Sequence, residues 1–307
     1  MEELRDKNGL MEKEFLLEYD INKYAKPSVT VDMLLLTIGD KVSSDIRRLP
    51  DKQLRVLLAK RGEHPCLGQW ALPGGFVEFD EGLKEAAYRK IKDEINVEDV
   101  YLEQLYTLGE NQEEVKRDPR TRVISVSYMA LVDQSKLTPI PNHTVADVKW
   151  FNVNKTPISV EKNKSGGCET YELSLVSEDN SINMCYIIQE TTIVKGPCPI
   201  KTITYKQKSG IENMLAFDHY KLIDKGLERL KNKIEYTPLA FTLLPHYFTL
   251  SELQKVYEVI LGKKLLKANF RRKIAPMVKK TEIMQKSGHR PASYFTFNEE
   301  WQHSFFE

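Results

Sequence analysis

Cysteine is scarce in this 307-residue chain: only Cys66, Cys168, Cys185 and Cys198 occur, and no two are spaced C-x-x-C. That spacing excludes a zinc ribbon, and the thiols read as free cysteines of a reducing compartment. No run of about 18 apolar residues is present, so no membrane-spanning helix is expected. The opening "MEELRDKNGLMEKEFLLEYD" is charged throughout and lacks the apolar segment of a secretory signal. A surplus of one charge is also missing. The formal net charge is +1, so any attraction to polyanions has to be local. Repeats and low-complexity tracts are lacking too. What these absences leave is a cytoplasmic globular protein, off the membrane, whose length favours two domains.

What is present begins with strands. "SVTVDMLLLTI" (28–38) and "LRVLLAKR" (54–61) are apolar and β-branched, and read as buried strands. "WALPGGFVEF" then supplies a Pro-Gly-Gly turn, and "DEGLKEAAYRKIKDEI" follows as a helix with Leu83, Ala86, Ala87 and Ile91 on its buried face. "VYLEQLYTLG" and "RVISVSYMALV" are further strands, which makes a layered α/β domain. From Asn154 to Glu212 the chain turns β-rich, with "SEDNS" and "KGPCP" as turns, and is expected to form a small antiparallel unit. "AFDHYKLIDKGLERLKNKIEY" reads as a helix with Asp218 as N-cap and an apolar stripe of Ile223, Leu227, Leu230 and Ile234.

The C-terminal part carries a different signal. "TLSE" (249–252) is a capping box that opens a helix. A basic turn leads to a second helix, "LLKANFRRKIAPMVKK", and "TEIMQKSGHRPASYFTF" reads as a hairpin. Helix, turn, helix and hairpin is the order of a winged helix. Between Gly262 and Pro291, ten lysines and arginines face one acid, Glu282. That concentration, in a chain of nearly balanced charge, marks a nucleic-acid surface. Leu266, Phe270, Ile274 and Val278 would form the buried stripe of the second helix. Lys263, Lys264, Lys267, Arg271, Arg272 and Lys273 would then point toward a major groove, with His289 and Arg290 at the wing. Pro276 should end or kink that helix.

The stretch "GGFVEFDEGLKEAAYRKIKDEINV" (74–97) resembles the Nudix box, G-x5-E-x7-R-E-U-x-E-E-x-G-U, where U is a bulky aliphatic residue. Gly75, Glu81, Arg89, Ile91, Glu94 and Val97 match at that spacing. Lys90 stands where a metal-binding glutamate is expected, Asp93 replaces another, and Asn96 replaces the last glycine. Such a box puts carboxylates on one helix face to hold a divalent ion against a pyrophosphate. Positions 90 and 94 project together, so a lysine at 90 opposes metal binding and offers Glu94 an ion pair.

The resemblance extends to most of the chain. "YDINKYAKPSVTVD", "KRGEHPCLGQWALPGGFVEFDE" and "ADVKWF" are similar to the ADP-ribose-recognising Nudix branch. "LAFDHYKLIDKGLERL" onward and "HRPASYF" are similar to the winged helix of the Nudix-related transcriptional regulators. It implies a Nudix α/β/α sandwich over 20–235, with a β-rich insertion at 154–212 and a closing helix at 218–235. A winged-helix DNA-binding domain would follow over 236–302. It further implies a homodimer that reads a double-stranded operator and senses ADP-ribose or a related nucleotide sugar. Gly75, Arg117, Asp118, Arg120 and Arg122 would bind that ligand. Trp70 would either stack on the nucleobase or sit in the core beside the turn. The alternative is a magnesium-dependent hydrolase of ADP-ribose or a similar diphosphate. Glu94, Asp93 and Glu81 would then hold the metal, Arg89 would complete the catalytic set, and Lys90 would weaken the activity.

Overall fold

A computed structural model of the chain describes residues 4–41, 50–95, 100–110, 117–133, 135, 145–163, 165–285 and 292–301. A short exposed helix, α1 (Glu12–Glu18), precedes the sheet. Strand β1 (Ser28–Asp40) is the first apolar run and is buried along nearly all its length. A run without polar alternation belongs to a strand covered on both faces. It lies within a ten-stranded mixed sheet, between β2 (Lys52–Arg61) and β6 (Val123–Leu131), with β5 (Tyr101–Leu108) beyond β6. β1 runs parallel to β6 and antiparallel to β2. Two short strands, β3 (Trp70–Ala71) and β4 (Gly74–Phe76), pair with β2 and β1 and pin the Pro-Gly-Gly turn to the sheet.

Helices cover both faces. On one side, α2 (Leu83–Ile95) sets Ala86, Ala87 and Ile91, all fully buried, in a cluster with Val31, Met33 and Leu35. Leu83 does not join them: at the first position of the helix it is exposed, so the stripe begins a turn later. On the other side, α3 (His219–Lys233) buries Leu222, Ile223 and Leu230 completely, as does Ile234 just past its end. A β-carbon on Gly226 would stand 1.9 Å from Leu34 Cδ2, so only glycine lets α3 lie this close to β1.

The antiparallel unit expected at 154–212 forms as a continuation of the main sheet. Strand β7 (Val145–Asn163) runs through Asn154 without a break, and pairs with β2 at its start and β8 (Gly166–Ser177) further on. β9 (Asn183–Ile193) and β10 (Ile200–Gln207) continue the same sheet to its edge. The physical reason is burial. Leu173, Leu175, Met184, Tyr186 and Ile188 point to the α3 side and enter the main core, so a free-standing unit would expose them. The extension also anchors α3. Lys155 Nζ lies 2.6 Å from Asp224 and 2.8 Å from Glu190, and the Tyr205 hydroxyl donates to Asp224 at 2.8 Å. Asp224 is almost wholly buried, and these partners offset its desolvation.

After α3, a 3-10 segment (Pro238–Leu243) leads to α4 (Leu250–Leu261), α5 (Lys267–Ile274), β11 (Val278–Gln285) and β12 (Ala292–Phe297). The capping box forms as the sequence indicates: Thr249 N–H donates to Glu252 at 2.7 Å, and Glu252 N–H to Thr249 Oγ1 at 3.2 Å. Gly262 closes α4 at φ 67°, the left-handed conformation that suits glycine. The expected stripe of α5 is only half right. Phe270 and Ile274 are buried, but Leu266 is 75% exposed and Val278 belongs to β11. Pro276 has no N–H to continue the helix, and the chain passes through a 3-10 turn at Ala275–Met277 instead. Leu253, Val256 and Tyr257 of α4 share one apolar core with Leu36, Ile38 and Leu54 of the sheet. Among the described residues no helix is long and apolar enough to cross a membrane.

Candidate functional site

The ends of β1, β2, β4 and α3 surround a cleft of about 400 Å³. Its floor contains Asp32, the one acid within the apolar run of β1, buried to 7% exposure. The Asp32 carboxylate accepts from Ser125 Oγ and, at 3.3 Å, from Arg117 Nη2. His219 Nε2 lies 3.6 Å from it. Because His219 Nδ1 accepts from Leu72 N–H at 2.9 Å, its ring proton belongs on Nε2, toward Asp32. Burial pushes the imidazole below its ordinary range, more than the Asp32 charge pulls it back, so it stays neutral.

The expected arginines are placed unequally. Arg117 lines the cleft, but its fork is shared between Asp32 and Asp218, whose Oδ1 accepts from Nε at 2.8 Å. That contact occupies the expected N-cap: the Asp218 side chain makes no capping hydrogen bond. Arg120 is held by the buried Asp118 at 2.8 and 3.0 Å, and its guanidinium lies 5.0 Å from the Phe76 ring centre. Arg122 is exposed and does not line the cleft. Trp70 is a core residue, 4% exposed, with Phe151 edge-on at 4.9 Å, so it has no face to offer a nucleobase. The rings that do line the cleft are Phe76 and Phe217, and the Arg61 guanidinium sits 5.1 Å from the centre of the second.

The box helix is built around Arg89. Its Nε donates to Glu81 Oε2 at 2.8 Å and its Nη2 to Glu81 Oε1, while Glu78 N–H donates to the same carboxylate at 2.8 Å. The arginine hydrogen bonds hold the Glu81 carboxyl down at about 2. Glu81 is thus a staple for the loop ahead of α2. Asp93 is half-exposed, 4.0 Å from Arg89. Glu94 is on α2, but its side chain lies outside the described residues. Lys90 projects into the cleft: its Cε and Nζ are 2.6 and 2.9 Å from where a β-carbon of Gly75 would be. Among the described residues no group of three His, Cys, Asp or Glu side chains converges as metal ligands would. With Glu81 taken by Arg89 and an ammonium at position 90, the described donors do not fit magnesium.

A second surface is set on α5. Lys267, Arg271, Arg272 and Lys273 are exposed and have no carboxylate partner among the described residues. Lys263 and Lys264 differ, lying 3.5 Å from Glu235 and 3.0 Å from Glu258. Glu258 also accepts from Leu265 N–H at 3.0 Å and so fixes the turn that aims α5 outward. His289 and Arg290, expected at the wing, lie outside the described residues.

Sequence reasoning missed Asp32, His219, Phe76, Phe217, Lys60 and Arg61 as cleft residues. Asp32 did leave a signal, an acid inside a strand buried on both faces. The others carry none until the chain folds back.

A ten-stranded sheet between helices, a Nudix-type box on one of them and a basic helix-turn-helix with a hairpin define a two-part, ligand-and-DNA class of architecture. Comparison with known families agrees. The NUDIX domain matches residues 43–167, and the NrtR DNA-binding winged helix domain matches residues 240–297. The ADPR responsive transcriptional repressor NtrR of Acinetobacter baylyi is 29% identical over 294 residues, 94% of this chain and 90% of the relative. The crystal structure of Shewanella oneidensis NrtR is 30% identical with a TM-score of 0.58, covering 88% of this chain and 94% of that one. The same protein complexed with a 27mer DNA is 29% identical with a TM-score of 0.58, over 88% and 93%. The chain belongs to the NrtR family of Nudix-related transcriptional regulators.

Proposed function

We propose that the chain is an ADP-ribose-responsive, DNA-binding transcriptional repressor that acts as a cytoplasmic homodimer. One observation carries the reading. The cations of α5, without carboxylate partners among the described residues, are joined through a continuous apolar core to a cleft whose box has a lysine in place of a metal carboxylate. The name of the Acinetobacter relative supports ADP-ribose as effector, and the DNA complex of the Shewanella relative supports duplex DNA as partner. As a homodimer it would read a palindromic operator, because two-fold proteins read two-fold sites.

The route between the two ends is α3. Its first residue, His219, and the preceding Phe217 line the cleft, while Ile234 at its far end shares the core with Leu253 and Val256 of α4. An effector that binds one placement of α3 better than another shifts that equilibrium, and with it the spacing of the two α5 helices in a dimer. Lys155 of β7 and Tyr205 of β10 hold Asp224 in the middle of α3 and tie that helix to the extended sheet.

The test is protection of a discrete site by the purified chain in DNA from upstream of its own gene cluster, against random competitor, together with calorimetric binding of ADP-ribose. A footprint that sharpens or disappears on adding ADP-ribose is expected. Binding to all DNA alike would overturn the reading. Release of AMP from ADP-ribose with magnesium would move the chain to the hydrolase alternative.

A further inference from the structure

We infer that the cleft takes up the diphosphate of its effector without a divalent metal, with the Lys90 ammonium in the position and role of the ion. The inference rests on the ADP-ribose reading above and assigns the residue that receives the phosphate charge.

Half of the cations that line the cleft are already engaged. Arg89 is tied to Glu81, Arg117 to Asp32 and Asp218, and Arg120 to Asp118. These three guanidinium groups are held as walls of the cleft, each beside a carboxylate that cancels most of its field. A diphosphate diester brings a full dianion, which a dry or semi-enclosed site has to neutralise. Among the described residues, three lining cations make no salt bridge: Lys60, Arg61 and Lys90, although the Lys90 charge also acts on the Glu81 carboxylate. Arg61 commits part of its fork to the Pro65 carbonyl, which its Nε reaches at 2.7 Å. Lys90 is half-buried and lies directly over the Gly-Gly turn.

The turn is shaped around that lysine. A β-carbon on Gly75 would come within 2.6 Å of Lys90 Cε, so a side chain at 75 would make the end of the lysine shift from where it lies over the turn. In the Nudix box the residue at position 90 supplies a carboxylate to the ion. Here the same backbone position delivers positive charge itself. An ammonium is a compact, strongly hydrated point charge with three donors, well suited to phosphate oxygens. What it lacks is the ability of a metal ion to lower the pKa of a bound water and make it a nucleophile. One substitution thus retains the neutralisation of the diphosphate and removes the activation of water, which is the difference between holding ADP-ribose and cleaving it.

The experiment is isothermal titration of the full-length chain with ADP-ribose, and separately with inorganic pyrophosphate, in EDTA and in magnesium. Wild type, Lys90→Met, Lys90→Glu and Gly75→Ala are compared, with circular dichroism melts to establish that each is folded. Wild type should bind ADP-ribose equally well in EDTA and magnesium. Lys90→Met should bind roughly tenfold or more weakly in both, as expected when one charge-assisted hydrogen bond is removed. Lys90→Glu should bind only when magnesium is present, and Gly75→Ala should weaken binding by displacing the lysine. The inference is overturned if wild type loses ADP-ribose in EDTA, or if folded Lys90→Met binds as wild type does. If pyrophosphate binds without metal and through Lys90 while ADP-ribose does not, the effector assignment fails and the role of Lys90 stands. Binding of neither ligand overturns both.

Discussion

Arginine has different roles at the two ends of this molecule. In the cleft, Arg89, Arg117 and Arg120 each lean on a carboxylate. On α5, Arg271 and Arg272 lean on none among the described residues, and both are exposed. Paired guanidinium groups in a half-buried site fix geometry, because breaking such a pair strands the partner charge. Unpaired ones on an exposed helix are available to displace counterions from a polyanion. The same residue type is therefore a wall in one region and, in the proposed function, a binding surface in the other, and only the partners tell them apart.

The largest effect that separates the regions should come from Phe270→Ala. Phe270 is buried with Tyr257 edge-on at 5.4 Å, and its truncation should cost about 3–5 kcal/mol of stability in denaturant unfolding. DNA binding should vanish, while calorimetric ADP-ribose binding survives at temperatures where the sheet stays folded. Simultaneous Arg271→Ala and Arg272→Ala should leave stability unchanged but weaken DNA binding. For every phosphate that the variant no longer neutralises, the salt dependence of affinity should flatten by about one unit of slope in fluorescence anisotropy.

A smaller, pH-dependent effect belongs to the cleft alone. His219 is buried neutral, with its pKa below the ordinary 6.5. As pH falls the unfolded chain binds that proton first, so the contribution is full above about 6.5 and declines below it, by up to about 1.4 kcal/mol per pH unit. His219→Asn, whose amide oxygen takes the Nδ1 position and can still accept from Leu72 N–H, should melt with a flatter profile between about pH 7.5 and about pH 5.5, a window that brackets the ordinary imidazole range. The smallest effect should be that of Lys264→Ala on DNA affinity, less than Arg271→Ala, because Lys264 is already turned toward Glu258. An equal loss of affinity from both would erase the distinction between paired and unpaired cations.

Much of the fold could be read from local pattern. The apolar run of β1, the helical spacing of Ala87 and Ile91, and the Thr249–Glu252 box are signals carried by neighbours in sequence. The fold departs from the pattern where distant contacts decide. Trp70 beside a glycine turn is compatible with a base platform or a core, and burial against Phe151 selects the core. The β-rich stretch after Asn154 has the turns of a small unit, yet β7 passes straight into it because the apolar residues of β8 and β9 complete the face under α3. The stripe through Val278 requires a helix that Pro276 cannot continue. In the cleft the box residues were legible by spacing, whereas His219 arrives from a helix remote in sequence, and nothing near it announces that it will face Asp32.

The proposed function couples the cleft to α5, and coupling is reciprocal. The most direct measurement is the affinity of the full-length chain for its protected DNA site with and without saturating ADP-ribose, paired with the affinity for ADP-ribose with and without that DNA. The two ratios should be equal and differ from one by roughly 5–150-fold. Ratios of one in both directions, with each ligand binding well alone, would mean that the two ends share a core but not a signal, and would contradict the claim.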